Sequence, residues 1–127
     1  MDRFLLVAAG GAVGAVARYG LGLQAVRWLG STWPYGTLGA NLLGGLLMGL
    51  LSGWLSQKGG GDPERFRLLL GVGILGGFTT FSAFSLETAA MIERRELGSA
   101  LAYALASVIL SVVAVFAGLA LARRGIA

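Results

Sequence analysis

The sequence predicts an all-α membrane protein that crosses a bilayer four times, as a single domain over residues 1–127. Three observations predict it. Hydrophobic residues make up 56% of the chain and charged residues only 13%, where an ordinary soluble domain carries about 25% charged residues. A soluble chain of 127 residues cannot hide that much apolar surface in one core. The charges are gathered at a few points, which leaves long uncharged runs between them. Histidine and cysteine are both absent, which removes disulfides, thiolate metal sites, Ser-His-Asp triads and Cys-His nucleophiles together. The chain is not expected to be an enzyme.

The gaps between charges measure the spans. Residues 4–17 are uncharged up to Arg18, 19–26 up to Arg27, 28–57 up to Lys58, 68–86 up to Glu87, and 97–122 up to Arg123. A helix needs roughly 20 residues to cross a hydrocarbon core of about 30 Å. Spans are therefore expected near 3–24, 36–57, 66–92 and 97–122, with a third helix that breaks at mid-membrane. Arg18 lies too deep, and the first span is too long, for a cleaved signal peptide. A pI near 10.4 is shared with many nucleic-acid binders, but the net charge is only +4 and no basic stripe alternates with exposed aromatics. Nucleic acid is therefore not an expected partner; a lipid bilayer is.

Orientation is weakly specified. One side of a four-span chain holds Arg3, Lys58, Arg65, Arg67, Arg123 and Arg124, and the other holds Arg18, Arg27, Arg94 and Arg95. Six against four is a feeble positive-inside bias. Such a chain could insert either way up and pair with an antiparallel copy about an axis in the membrane plane. A single orientation set by the basic residues around 58–67 is the other reading.

Taken in order, the first span carries Gly10-Gly11, Gly14 and Ala15, small residues that let a neighbouring helix come close. Arg18 is either an anion-attracting vestibule residue, a member of a buried ion pair, or an interfacial anchor. Residues 25–35, with two tryptophans, a tyrosine and a proline, read as an interfacial connector. In the second span Asn41 sits in an uncharged run of thirty residues. A bare amide in hydrocarbon costs several kcal/mol, so Asn41 bonds across helices or offers its N–H groups to a permeating anion. Residues 58–65 (KGGGDPER) are the one soluble linker, with Asp62-Pro63 starting the next helix.

The third span runs Gly71-Val72-Gly73-Ile74-Leu75-Gly76-Gly77-Phe78-Thr79-Thr80-Phe81-Ser82-Ala83-Phe84. Residues 71–76 match G-x-G-x-x-G, but without a βαβ unit the match means little. Two glycines and two threonines weaken the helix there. A break at 76–80 would expose carbonyls able to coordinate a cation such as Na⁺. Phe78, Phe81 and Phe84 recur every third residue, as a packing stripe or as ring edges, the positive rim of the quadrupole, facing an anion. In the last span Tyr103, Ser107 and Ser111 follow i, i+4, i+8, with Ser99 one step earlier. They line one helix face, either to serve a small ion shedding its water or to bond carbonyls and a neighbouring helix.

These residues resemble the small bacterial fluoride channels called Fluc or CrcB proteins. The likeness rests on Gly11-x-x-Gly14-Ala15-x-x-Arg18-Tyr19, Gly36-Thr37-Leu38-x-x-Asn41-x-x-Gly44 and Gly76-Gly77-x-Thr79-Thr80-Phe81-Ser82-x-Phe84, with Ala83 and Leu46 as mild departures. The resemblance implies an antiparallel, dual-topology homodimer with two anion pores. It implies a Na⁺ at the dimer centre on carbonyls that map to Gly76 and Thr79. Asn41, Phe81, Phe84 and Ser82 would line the pore, Tyr103, Ser107 and Ser111 would form a hydroxyl track, and Arg18 would be a vestibule arginine. The expected function is passive export of fluoride through a multi-pass protein of the bacterial inner membrane. A proton-coupled small multidrug antiporter is the main alternative, with Glu87 as its only candidate carboxylate, and a non-transporting accessory subunit is the second.

Overall fold

The chain crosses from element to element without a strand among the residues described, 2–57 and 62–126, in the computed structural model. Half of the expected linker, residues 58–61, lies outside the described residues. The helices are α1 (Asp2–Leu29), α2 (Tyr35–Gln57), α3 (Pro63–Phe66), a π-helical stretch (Arg67–Leu75), α4 (Gly76–Phe78), α5 (Ser82–Glu93) and α6 (Leu97–Ile126). Four stretches are long and apolar enough to cross a membrane: Asp2–Leu29, Tyr35–Gln57, Pro63–Glu93 and Leu97–Gly125. These match the four spans expected from the gaps between charges.

The first helix outruns its expected end by continuing through Leu29 into the segment read as a connector. Nothing in residues 25–29 stops a helix. Gly30, at φ +86°, does so by adopting the left-handed turn that only glycine enters freely, its N–H bonding Val26 O at 2.9 Å. The Asp62-Pro63 start signal holds: Asp62 accepts the N–H of Arg65 and Pro63 occupies the first turn. Between α5 and α6, Arg95 takes φ +62° while Arg95 N–H bonds Ile92 O and Glu96 N–H bonds Met91 O, both at 2.9 Å. This is the Schellman closure that usually uses glycine.

Glycine governs the packing. A Cβ on Gly49 would fall 2.1 Å from Val115 O, and one on Gly118 would fall 2.2 Å from Leu46 O. The α2 and α6 backbones therefore touch directly, as small-residue stripes allow in lipid. Gly10, Gly14 and Gly77 do the same between α1 and the third span. The buried core is small, built from Met91, Ala100 and Tyr103 with Trp33, Leu38 and Phe84 against it. Large apolar side chains such as Val16, Leu101 and Phe116 face outwards, the arrangement a hydrocarbon solvent permits.

The third span bends as expected, with a shifted cause. Gly76 and Gly77 remain helical, because Gly77 is pressed onto Gly11 of α1. The chain leaves the helix at Thr79, whose ψ of 159° is extended, and α5 restarts at Ser82. Upstream, the π-helical turn is carried by bonds such as Gly76 N–H to Gly71 O. Such turns are rare and cluster at functional sites.

Candidate functional site

The break is held from α2. Asn41 Oδ1 accepts the N–H of Thr80 at 2.8 Å, and Asn41 Nδ2 donates to Thr80 O at 3.0 Å. This pairing fixes which amide atom is which, since a backbone N–H needs the oxygen and a carbonyl needs the nitrogen. It also diverts the amide that would have bonded Gly76 O in a continuous helix. Ala83 N–H likewise goes to Thr80 Oγ1 at 3.1 Å, which caps the first turn of α5 and leaves Thr79 O without its helical donor. Thr79 itself turns back on Leu75 O, through both N–H and Oγ1 at 3.0 Å, and its methyl fills the slot that Gly44 leaves open. Gly76 and Thr79 are among the carbonyls that lose their helical donors at the break. Among the described residues no cluster of three or more His, Cys, Asp or Glu side chains could hold a metal ion. A cation at the break would rest on carbonyls, and these two fit a hard alkali ion.

Beside the break lies an open cavity of about 410 Å³, bounded by α2, the third span and α6. Asn41, Thr80, Phe81, Phe84, Ser107 and Ser111 line it, and among the described residues the lining includes no charged side chain. Ser107 is 6% exposed, and Ser107 Oγ and Ser111 Oγ are both buried without a hydrogen-bond partner among the described residues. Buried hydroxyls ordinarily find partners, so two orphans on one wall are notable. Asn41 spends one Nδ2 hydrogen on Thr80 O and keeps the other. Phe81 and Phe84 also line it, their centroids 5.5 Å apart and tilted by 45°. Phe81 is 77% exposed, so the cavity reaches the surface of the chain there.

One helical turn along the same helices the chemistry changes. Glu87 on α5 accepts Thr37 Oγ1–H from α2 and Tyr103 O–H from α6, each at 2.9 Å. A second cavity of about 310 Å³, lined by Glu87, Thr37, Trp33, Tyr35 and Arg94 among others, begins there. Tyr103, fully buried, lies between the two cavities, its ring 5.3 Å from Phe84 and its hydroxyl on Glu87. Ser99 is taken by Trp33, whose Nε1 donates to it at 2.8 Å.

The structure therefore divides the hydroxyl row: Ser107 and Ser111 face the first cavity, while Tyr103 and Ser99 bond elsewhere. Asn41, Phe81 and Phe84 come together with the two serines. Ser82 does not line that cavity; it is exposed, its Oγ 3.3 Å from Thr80 Oγ1. Arg18 lies away from it, its Nε donating to Gly77 O at 3.3 Å. Sequence reasoning missed Thr37 and the joining role of Glu87. The only available signal was that an intramembrane carboxylate needs donors, and it did not say which.

Comparison with known proteins places these features in a family. The description "CrcB-like protein, Camphor Resistance (CrcB)" matches residues 5–119. The chain belongs to the CrcB family. CrcB relatives include the fluoride-specific ion channel FluC of Phenylobacterium zucineum (strain HLK1), 68% identical over 98% of both chains. FluC of Caulobacter sp. (strain K31) is 65% identical over 98% of this chain and 97% of its own. FluC of Caulobacter vibrioides (strain NA1000 / CB15N) is 57% identical over 98% of both. With four apolar spans, this CrcB protein is a multi-pass protein of the bacterial inner membrane.

Proposed function

We propose that this protein is a fluoride channel, letting F⁻ run passively down its gradient out of the cytoplasm and so relieving fluoride toxicity. The observation that carries the reading is a cavity with no charged side chain among its described lining residues, which two serines with orphaned buried hydroxyls, an amide with a spare N–H and two phenylalanines line together. Fluoride is small and strongly hydrated, so a pore must replace its water with donors. A full positive charge would hold it too tightly to release, because conduction needs sites that the ion can leave. Ser107, Ser111 and Asn41 offer neutral donors, and ring edges of Phe81 and Phe84 offer a weakly positive rim. The names of the CrcB relatives supply the identity of the ion. Glu87 has both oxygens engaged by Thr37 and Tyr103, which favours a tethering role over the free carboxylate of a proton-coupled antiporter.

The working unit in this reading is an antiparallel, dual-topology homodimer. Support comes from Phe81, 77% exposed beside a mid-membrane break, and from the exposed Ser82 next to it. A second copy would cover both and close the cavity. A Na⁺ at the dimer centre would be held by Gly76 and Thr79 carbonyls and would supply a fixed positive field. The chain's own part is to keep those carbonyls released, which Asn41 and Thr80 do by taking the competing amides.

The test is efflux of fluoride, with chloride in parallel, from liposomes holding the purified protein, beside a Phe81→Ile variant. Fast fluoride flux with negligible chloride flux, abolished in the variant, is the expected result. No fluoride movement under a gradient with Na⁺ present would sink the reading.

A further inference from the structure

Gly10, Gly14 and Arg18 follow i, i+4, i+8 and so share one face of α1. That face lies on backbone. A Cβ at Gly10 would fall 2.5 Å from Leu69 O, and one at Gly14 would fall 2.0 Å from Ile74 O and 2.8 Å from Phe78 N. One turn further along α1 the facing helix has reached its last turn. There Arg18 Nε donates to Gly77 O at 3.3 Å. In an unbroken helix Gly77 O would receive the N–H of Phe81, but the chain turns away at Thr79. Arg18 is half-buried, and among the described residues none of the ion pairs includes it.

The last carbonyls of a helix are unsatisfied and carry partial negative charge. Inside a membrane no bulk water relieves them. On the far side of the same break Asn41 holds both backbone groups of Thr80. The break is thus gripped at Gly77 from α1 and at Thr80 from α2. We infer that Arg18 is a positioning residue: its Nε caps the severed end of the first half of the third span and so sets the distance across the break. It touches neither the cavity lining nor the ion, and acts through the backbone that carries Gly76, Thr79 and Thr80.

The bonding atom makes this separable from a general attraction of anions by positive charge. Arg Nε is bonded to Cδ, and so is Gln Nε2, which places an N–H donor at the same point of the side chain. Lysine has a methylene there and its ammonium one bond further out. Arg18→Gln therefore keeps the donor and loses the charge, while Arg18→Lys keeps the charge and displaces the donor.

The inference rests on the channel reading only for its functional readout. Full-length protein and the Arg18→Gln, Arg18→Lys and Arg18→Met variants are reconstituted in liposomes, and fluoride efflux is measured at low and high ionic strength. Hydrogen–deuterium exchange across residues 76–84 is followed in parallel. Flux in Arg18→Gln is expected within about threefold of the parent, with parental protection. Flux in Arg18→Lys and Arg18→Met is expected to fall about tenfold, the cost of a lost charge-assisted bond, with faster exchange at both salts. The reverse order, Lys sparing and Gln abolishing flux in a salt-dependent way, overturns the cap in favour of a vestibule charge. Equal flux and exchange in all four proteins overturns it too. A parent that passes no fluoride overturns the channel reading alone, and the exchange order among the variants then decides the cap. If Arg18→Met does not fold, the Gln and Lys pair decides.

Discussion

Asn41→Ala removes both bonds by which α2 holds the broken helix: the acceptor for Thr80 N–H at 2.8 Å and the donor to Thr80 O at 3.0 Å. Each net hydrogen bond is worth about 1 kcal/mol, and a backbone group left stranded away from water adds about 1–3 kcal/mol. Thr80 is half-buried, which leaves it some relief from its surroundings. The expected loss is then about 2–4 kcal/mol, large beside the roughly 5–15 kcal/mol that holds a domain folded. Asn41→Asp is the sharper comparison. It keeps an oxygen for Thr80 N–H but sets a second oxygen against Thr80 O and places a negative charge in the cavity wall. Its stability should fall between parent and alanine, whereas its anion flux should fall below both. Stability is read by denaturant titration in mixed micelles, using tryptophan fluorescence, and flux by fluoride efflux from liposomes. Asn41→Ala within about 0.5 kcal/mol and twofold in flux would refute the view that this amide both holds the break and serves the ion.

Three further outcomes follow from the same geometry. Ser107→Ala and Ser111→Ala should move stability and flux in opposite directions: removing an orphaned buried hydroxyl is neutral or stabilising by up to about 1 kcal/mol, while fluoride efflux falls, and unchanged efflux would return both serines to packing. Gly49→Ala or Gly118→Ala should cost about 1–3 kcal/mol or more by forcing α2 and α6 apart, whereas Gly20→Ala, with nothing within 4 Å, should be neutral or gain about 0.5 kcal/mol; equal effects in micelle denaturation would contradict the direct backbone contact. Arg95→Gly should raise stability by about 1 kcal/mol by relieving the left-handed conformation at the end of α5, and a loss in the same denaturation assay would show that the arginine side chain outweighs its backbone strain.

The spans were legible because a bilayer imposes a rule on contiguous residues: a length and an absence of charge, which residues 28–57 and 97–122 satisfy on inspection. The bend was legible for a related reason, since Gly76-Gly77 and Thr79-Thr80 weaken a helix locally. Its exact cause was not. The glycines proved to be contact surface for α1, and the chain departs only where Asn41 competes for the amide of Thr80. The serine row was legible as a face and illegible as a function, because periodicity orients side chains without naming their partners.

What the sequence determined by itself is the number of spans, the position of the break to within a few residues, and the glycine faces on which helices meet. All of these depend on near neighbours along the chain. What only the tertiary structure decided is the fate of each polar group. Asn41 meets Thr80 across 39 residues, Thr37 meets Glu87 across 50, and Trp33 meets Ser99 across 66. In hydrocarbon every buried donor seeks whatever acceptor the fold brings near. The fold supplies partners to Tyr103 and Ser99 and withholds them from Ser107 and Ser111.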